Sequence, residues 1–525
     1  VAFDNLPDLF EIGEYYPHPA HEDRIMRYKY NKKLFKGEHQ EIFKTYTNQL
    51  KRDLGQDVLY VASNIAGIIC KKSADFLFGE KPIFSAGNSE NSPEQAKLNE
   101  YVDNNHLHIT NYESALSNAY RGDSFYKIMW RQEYGGELPQ DIDPFRVFIS
   151  AQNAEYVFPQ TDPNDATRII AYHIAYPQQI VGDNVPPQVP GSGYIPTNNT
   201  QALAQVPNVR HEWILNVESH YPGEIRYRKF KMDEVQYDAN LGEVVTWRIT
   251  EEIDAGKDPV ITGVPFPLVV HVPNYATDDT WEGIDDLSEH YGLLEEINNR
   301  LTRIAAILDK HSDPAMAVPA GSLQEDENGN PVFYPGRDKM FEVMDKNDII
   351  PQYITWDGQL QAAFEELKMV VDQLLMNAEI PPVALGRDNS GTSGASGLSI
   401  KFRMNSLLAK INRKRQYYEK GLKQVLFIAQ LLEQARRKAT RKPVDFTPTI
   451  PRIHFKDGLP RDDMELAQIA SIRTGGKPTW SQKTAIMVLD DKTDAQAQQE
   501  LDAIQQDEQA TRRFRRSSGR KRSAV

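Results

Sequence analysis

The stretch DNSGTSGASGLSIKFRMNSLL, residues 388–408, decides how the chain is organised, because it joins two kinds of sequence that rarely adjoin. Its first half is glycine, serine and threonine; its second half opens a long run rich in Lys, Arg and Tyr. A glycine-rich loop ahead of a helix can cradle phosphate on its backbone N–H groups. The spacing Gly386-RDNS-Gly391-Thr392 fits that use, except that Thr392 stands where a lysine is required, so bound phosphates would lose their main counter-charge. GTSGA begins like the turn that exposes a nucleophilic serine, but Ala395 replaces the final glycine and no histidine lies near it in sequence. The other reading is a mobile loop facing something that slides past it.

On the C-terminal side, the sequence predicts a helix from about Leu398 to Lys438. Forty residues span roughly 60 Å, longer than most single domains need. On the N-terminal side, Leu360, Phe364, Leu367, Val370, Val371, Leu374 and Ala378 share one face of a helix that Pro381–Pro382 ends. Further upstream, Ile284, Leu287, Tyr291, Leu294, Ile297, Leu301, Ile304 and Leu308 repeat at spacings of three and four, predicting a helix of about 28 residues, roughly 40 Å. Between the two helices, MAVP, VFYP, MFEVM and QYITW read as short strands around the turn EDENGNP. The result is an out-and-back pair of amphipathic helices bracketing a small β insert.

Before this pair the chain is α then β. Val58 to Phe78 reads as a buried helix stopped by Gly79 and Pro82, and Ser92 to Asn118 is helical in composition. Candidate strands are FYKIMW, RVFIS and RIIAYHIAY, then HEWILNVESHY, IRYRKFKM, VVTWRIT and PLVVHVPN. Pro177 to Pro207 lacks an apolar period and is rich in Pro, Gly and Asn, so it is expected to form a long surface loop. After Pro443 come the strand RIHF and a small helical region with capping-box spacings at Thr479–Gln482 and Thr493–Gln496. The fold class is therefore α+β, with helices and strands in separate blocks rather than in alternation.

Composition narrows the function. The net charge of −14 argues against a general nucleic-acid coat. The tail is opposite in sign: Arg512, Arg513, Arg515, Arg516, Arg520, Lys521 and Arg522 carry seven positive charges, which leaves −21 on the remainder. A single cysteine, Cys70, permits no intrachain disulfide and fits folding in a reducing compartment. The most apolar stretch, VLYVASNIAGIIC, is 13 residues, short of the roughly 20 that a membrane helix needs. The acidic first residues do not resemble a signal peptide, and a soluble protein is expected.

Chemistry is hard to find. His106 and His108 lie two apart, yet their segment reads as a helix or helix end, a weak basis for a metal site. Glu295–Glu296, Asp285–Asp286 and Glu365–Glu366 are adjacent rather than facing pairs, which reads as solvated helix faces rather than acid–base catalysis. In the long basic helix, Lys401, Arg403, Lys410, Arg413, Lys414, Arg415, Lys420 and Lys423 sit among Phe402, Tyr417 and Tyr418. That mixture suits nucleic acid, or the acidic faces of neighbouring subunits, and in so acidic a body the second use is preferred. No catalytic residue, metal or cofactor is assigned.

The order of elements, taken with four phrases, is specific. SGLSIKFRMNSLLAKINRKRQYYEKGL combines a small-residue loop with a Lys/Arg/Tyr-rich helix, and LLEEINNRLTRIAAILDKHSDPAMAVP is a helix running into the β insert. PRIHFKDGLPRDDMELAQIASI is a strand entering a helical region, and ICKKSADFLFGEKPIF is a helix ending in Leu-x-Gly before a proline. Together they resemble the portal proteins of tailed bacteriophages, in the SPP-one-like group, over roughly Val58 to Gln509. The resemblance implies an α/β wing over residues 1–282 with a Pro-rich inserted loop at 177–207, a first stem helix at 283–312, and a small α/β clip at 313–356. A second stem helix at 357–381, a tunnel loop at 382–397, a long spine helix with a returning wing strand at 398–460, and a helical C-terminal crown at 461–510 would follow. The basic tail at 511–525 is expected to be disordered.

The same resemblance implies a non-enzymatic homo-oligomeric ring, expected to be a dodecamer, in the virion at one capsid vertex and assembled in the host cytoplasm. Double-stranded DNA would be packaged and ejected through it. Terminase, then a head–tail adaptor, would dock on it, beside major capsid and scaffolding proteins and without a membrane. Asn389, Ser390, Gly391, Thr392, Ser393, Gly394, Ala395, Ser396 and Gly397 would face the DNA, and Glu295, Glu296, Glu365, Glu366 and Asp372 are candidate channel-lining acids. The seven basic tail residues are candidates for a DNA or capsid contact. The alternative is a DNA-binding packaging enzyme or adaptor that uses the basic helix and the Arg-rich tail.

Overall fold

The computed structural model describes residues 8–43, 48–49, 52, 59–87, 92–181, 211–238, 243–312, 316–317, 324–325, 331–332, 352–353, 360–387, 397–456, 458, 463–476, 478–490, 496–507 and 509. Among the described residues helix makes up 49% and strand 23%, a mixture consistent with an α+β chain. Two compact units are present: residues 1–28, 70–285 and 381–525 form the first, and 29–69 with 286–380 the second.

The N-terminal elements are β1 (Tyr15–Tyr16), α1 (Glu22–Lys36), α2 (His39–Ile42), α3 (Ile65–Phe78), β2 (Ile83–Ser85), α4 (Pro93–Asn104) and α5 (Leu107–Arg121). Strands follow as β3 (Asp123–Arg131), β4 (Arg146–Gln152), β5 (Val157–Asp162), β6 (Asp165–Val181), β7 (His211–Tyr221), β8 (Glu224–Asp238), β9 (Glu243–Ile253), β10 (Val260–Ile261) and β11 (Val269–Pro273). In the first unit, β1-β9-β8-β7-β6-β5 make an antiparallel sheet with β10 paired to β8, and β11-β3-β4 make a second. The larger sheet buries an aromatic cluster in which Phe10, Tyr16, Phe158 and Trp247 meet at tilted or edge-on angles, and the Tyr16 hydroxyl donates to the carbonyl of Ala175 at 3.0 Å.

One expected boundary is corrected here. The loop read from Pro177 begins later, because residues 177–181 belong to β6, paired with β7 from Pro177↔Leu215 to Val181↔His211. Beyond Ile174, β6 has no partner on its β5 side among the described residues, so a residue that lacks an N–H is tolerated on that edge. The rest of the Pro-rich stretch lies outside the described residues.

Two glycines fix how the smaller sheet meets the segment after it. A Cβ built on Gly283 would lie 1.9 Å from the carbonyl oxygen of Gly122, and one on Gly122, whose φ is +91°, would lie 2.4 Å from the carbonyl oxygen of Gly283. Only glycine allows the two backbones to approach so closely. The next residue, buried Asp123, is the polar hub of the contact. It accepts from the Gly283 N–H at 2.8 Å, from the His271 ring at 2.6 Å, and from the Tyr28 hydroxyl, which itself accepts from Arg24 at 3.1 Å. These bonds satisfy a polar side chain that burial removes from water.

In the second unit the main elements are α6 (Tyr291–Ser312) and α7 (Leu360–Asn377); between them the described residues form two short pairs, β12 (Met316–Ala317) with β15 (Gln352–Tyr353) and β13 (Gln324–Glu325) with β14 (Pro331–Val332), while the expected strand MFEVM lies outside the described residues. Leu294, Ile297 and Ile304 of α6 and Leu374 of α7 are buried, in keeping with the spacing read from the sequence, whereas Leu308 and Phe364 on the same stripes are exposed and Leu375, off the predicted face, is buried. The first helix starts at Tyr291 rather than Ile284. Both backbone groups of Ile284 are used elsewhere, its N–H donating to the Tyr275 carbonyl at 2.8 Å and its own carbonyl accepting from the Asn274 side chain at 3.0 Å.

The early helix is likewise shorter than expected, beginning at Ile65 instead of Val58. The N–H groups of Val61 and Ser63 are taken by the side chains of Thr302 (3.0 Å) and Asn298 (2.9 Å), and the Asn64 side chain accepts from the Gly67 N–H at 2.9 Å as a cap.

The C-terminal elements, all in the first unit, are α8 (Gly397–Arg403), α9 (Asn405–Ala439), β16 (Arg452–His454, paired with β2), α10 (Asp463–Thr474), α11 (Gln482–Leu489) and α12 (residues 496–507). The expected single long helix has a one-residue interruption at Met404, across which helical bonds from Met404 to Ile400 and from Leu408 to Met404 persist. The 35 residues of α9 run about 52 Å. Gly421 lets it lie against β11: a Cβ there would meet a Val272 methyl at 2.4 Å.

Candidate functional site

Of the residues read as a DNA-facing loop, Asn389, Ser390, Gly391, Thr392, Ser393, Gly394, Ala395 and Ser396 lie outside the described residues, and Gly397 is the first residue of α8. Arg512, Arg513, Arg515, Arg516, Arg520, Lys521 and Arg522 also lie outside them.

The five acids are all described and all belong to the α6–α7 unit. Their charges are not equivalent. Glu296 accepts from the Arg300 Nε at 2.7 Å, one helical turn on, and Arg300 reaches across to Glu366 of α7 at 2.9 Å. One arginine therefore offsets two of the acids. Glu365 and Asp372 are exposed on α7; among the described residues Glu365 accepts from Gln361 at 3.2 Å, a neutral donor. Glu295 is half-buried near Tyr30, whose hydroxyl is pushed up to about 12 by burial and then by that carboxylate. Among these five acids, the negative charge not offset by a cation thus concentrates on Glu365 and Asp372.

Sequence reasoning missed the polar half of the α6 interface. Asn298 is fully buried and joins His39 (2.8 Å) to the Ser63 N–H, while buried Thr302, one turn later, takes the Val61 N–H. The available signal was the i, i+4 spacing of Asn298 and Thr302 inside an otherwise apolar stripe. Nothing in the sequence says that their partners are backbone groups of residues 59–64.

The basic helix divides in two. Lys410, Lys414 and Arg415 are buried in the first unit, and Arg415 donates to the carbonyls of Phe76 (3.2 Å) and Lys456. Lys423 pairs with Glu419 at 2.5 Å. Buried cations cannot also line a groove for phosphates, so the DNA-binding alternative loses Lys410, Lys414 and Arg415, three of its eight charges. Lys401, Arg413 and Lys420 remain exposed.

His106 and His108 have ring centroids 6.3 Å apart, and His106 occupies the left-handed position at the start of α5, with φ +46°. Among the described residues, no group of three or more His, Cys, Asp and Glu is placed to hold a metal ion. No helix among them is long and apolar enough to cross a membrane.

Comparison with curated proteins gives no match. The model of one protein family, phage portal protein, SPP1 Gp6-like, matches residues 220–512. That range is more than half of the chain and runs from the end of β7 through α6, α7, the glycine-rich loop, α9 and the last helices. The chain therefore belongs to the SPP1 Gp6-like family of phage portal proteins.

Proposed function

We propose that copies of this chain close into a ring, expected to number twelve, at one vertex of a phage capsid, and that double-stranded DNA is packaged and later ejected through its centre. Terminase and then head–tail adaptors dock on the ring, and scaffolding and major capsid proteins surround it. The observation that carries this reading is the family match across residues 220–512. The absence of a lysine at Thr392 supports a passive conduit, because the energy for transport would then come from a docked enzyme.

In this reading the loop Asn389–Gly397 faces the DNA, and the acids of α6 and α7 line the channel. Repeated around a ring, each exposed acid becomes a circle of negative charge. Such a wall denies the phosphates deep binding minima, within a reach of about 8–10 Å at physiological salt. A lysine-lined wall would hold phosphates and slow transit. The basic tail contacts DNA or the capsid.

Ion conductance through rings inserted in a planar bilayer tests the wall. Glu365→Lys with Asp372→Lys is expected to lower cation selectivity or reverse it. Glu366→Lys alone is expected to change it less, because Arg300 already offsets Glu366. Unchanged selectivity in the double variant would remove these acids from the channel wall.

A further inference from the structure

The turn between β3 and β4, residues 132–145, is built unlike an ordinary surface loop. Four of its large apolar side chains face solvent: Tyr134 (58% exposed), Leu138, Ile142 (67%) and Phe145. Its backbone is nonetheless braced from inside. The buried carboxylate of Asp143 accepts from the N–H groups of Glu133 (3.0 Å) and Tyr134 (2.9 Å). The buried Gln132 amide donates to the carbonyls of Asp143 (2.8 Å) and Leu138 (3.4 Å), and Phe145 stacks on Trp130. Rigid support beneath exposed apolar groups is what an interface anchor needs, because little entropy remains to be lost on docking.

The charge on this tip is acidic. Glu137 and Asp141 are exposed, without an ion pair among the described residues. The complementary surface lies on the same chain. At the C-terminal end of α9, Lys438, Arg441 and Lys442 are exposed and likewise have no acidic partner among the described residues. Bonds within the first unit connect the start of β4 to α9: the Asn105 side chain donates to the carbonyls of Val147 and Tyr101, and the Tyr101 hydroxyl donates to Glu433 at 2.7 Å. Two different surfaces that complement each other can join copies head to tail, a contact that closes into a ring when the rotation it imposes closes.

We infer that the 132–145 turn is a docking knob for a second copy of this chain, seating Ile142 and its apolar neighbours on that copy beside the basic end of α9. The inference rests on the ring proposed above and identifies one contact that closes it.

Sedimentation velocity of the full-length protein across a concentration series tests it. Ile142→Asp, and separately Glu137→Lys with Asp141→Lys, are expected to raise the concentration at which half the chains are assembled by about tenfold or more, as loss of a central anchor does. Adding Lys438→Glu, Arg441→Glu and Lys442→Glu to the charge variant is expected to restore assembly. Cys70, buried and the only cysteine, reports folding through its resistance to a thiol reagent. Wild-type assembly in both folded knob variants overturns the inference and leaves the portal reading intact. Weakened assembly that the charge exchange fails to restore overturns the assigned counter-surface. A wild-type chain that stays monomeric throughout overturns the ring itself.

Discussion

Replacing Gly283 with alanine is expected to destabilise the first unit by about 3 kcal/mol or more, because the added methyl group meets main chain at the shortest distance of any glycine among the described residues. The added Cβ would sit 1.9 Å from the Gly122 carbonyl oxygen and 3.0 Å from the Pro273 side chain, and the first of these is backbone that cannot rotate away. Relief requires parting two strands of main chain. That movement would also lengthen the 2.8 Å bond from the Gly283 N–H to Asp123 and disturb the carboxylate's bonds to His271 and Tyr28. Gly292→Ala is the matched control. It lies in helix α6 with nothing within 4 Å of its added Cβ, so the substitution is expected to be neutral or to stabilise by up to about 1 kcal/mol. Urea unfolding followed by tryptophan fluorescence compares the two. Equal midpoints for both variants would contradict the close approach.

Mild acid should cost the same unit a comparable amount. His173 is buried between Ser219 (2.8 Å) and Gln160 (3.2 Å), and His21 packs edge-on against Phe158. Burial pushes His173 down to about 4, and burial followed by the nearby Arg24 cation pushes His21 down to about 2, against an ordinary 6.5. Each ring binds its proton more readily in the unfolded chain than in the folded one. Their contribution is therefore fully present above about pH 6.5 and drains as pH falls, His173 ceasing to add to the loss below about 4. At pH 5 each histidine removes about 2 kcal/mol relative to neutral pH. The urea midpoint should fall clearly between pH 7.5 and pH 5, and His173→Gln should flatten that dependence. A midpoint that does not move over this range would show that the rings are not held neutral.

Much of the architecture is legible in the sequence because it rests on periodicity. The apolar residues from Tyr291 to Ile304 and from Leu367 to Ala378 declare their helices at spacings of three and four, and the strands from FYKIMW to PLVVHVP declare themselves by β-branched and aromatic runs. Element ends are less legible where another part of the chain competes for backbone groups. Asn274 and Tyr275 hold Ile284 out of α6, and Thr302 and Asn298 hold Val61 and Ser63 out of α3. Pro177 suggests a loop, yet it lies in β6 because only one neighbour pairs there among the described residues.

The candidate site is legible by residue type and not by state. Composition identifies Glu296, Glu365, Glu366 and Asp372 as one acidic group, whereas Arg300 divides them by reaching across two helices whose register no local pattern encodes. The basic helix reads as a uniform charged face, and only the packed structure separates buried Lys410, Lys414 and Arg415 from exposed Lys401, Arg413 and Lys420. The Gly122–Gly283 contact leaves no trace in sequence beyond two unremarked glycines, because it depends on where distant strands end.

Electron microscopy of the purified full-length protein, without added nucleotide, tests the central claim most directly. The account predicts closed rings with an axial opening wide enough for a DNA duplex. A population of compact monomers that hydrolyse ATP would contradict it.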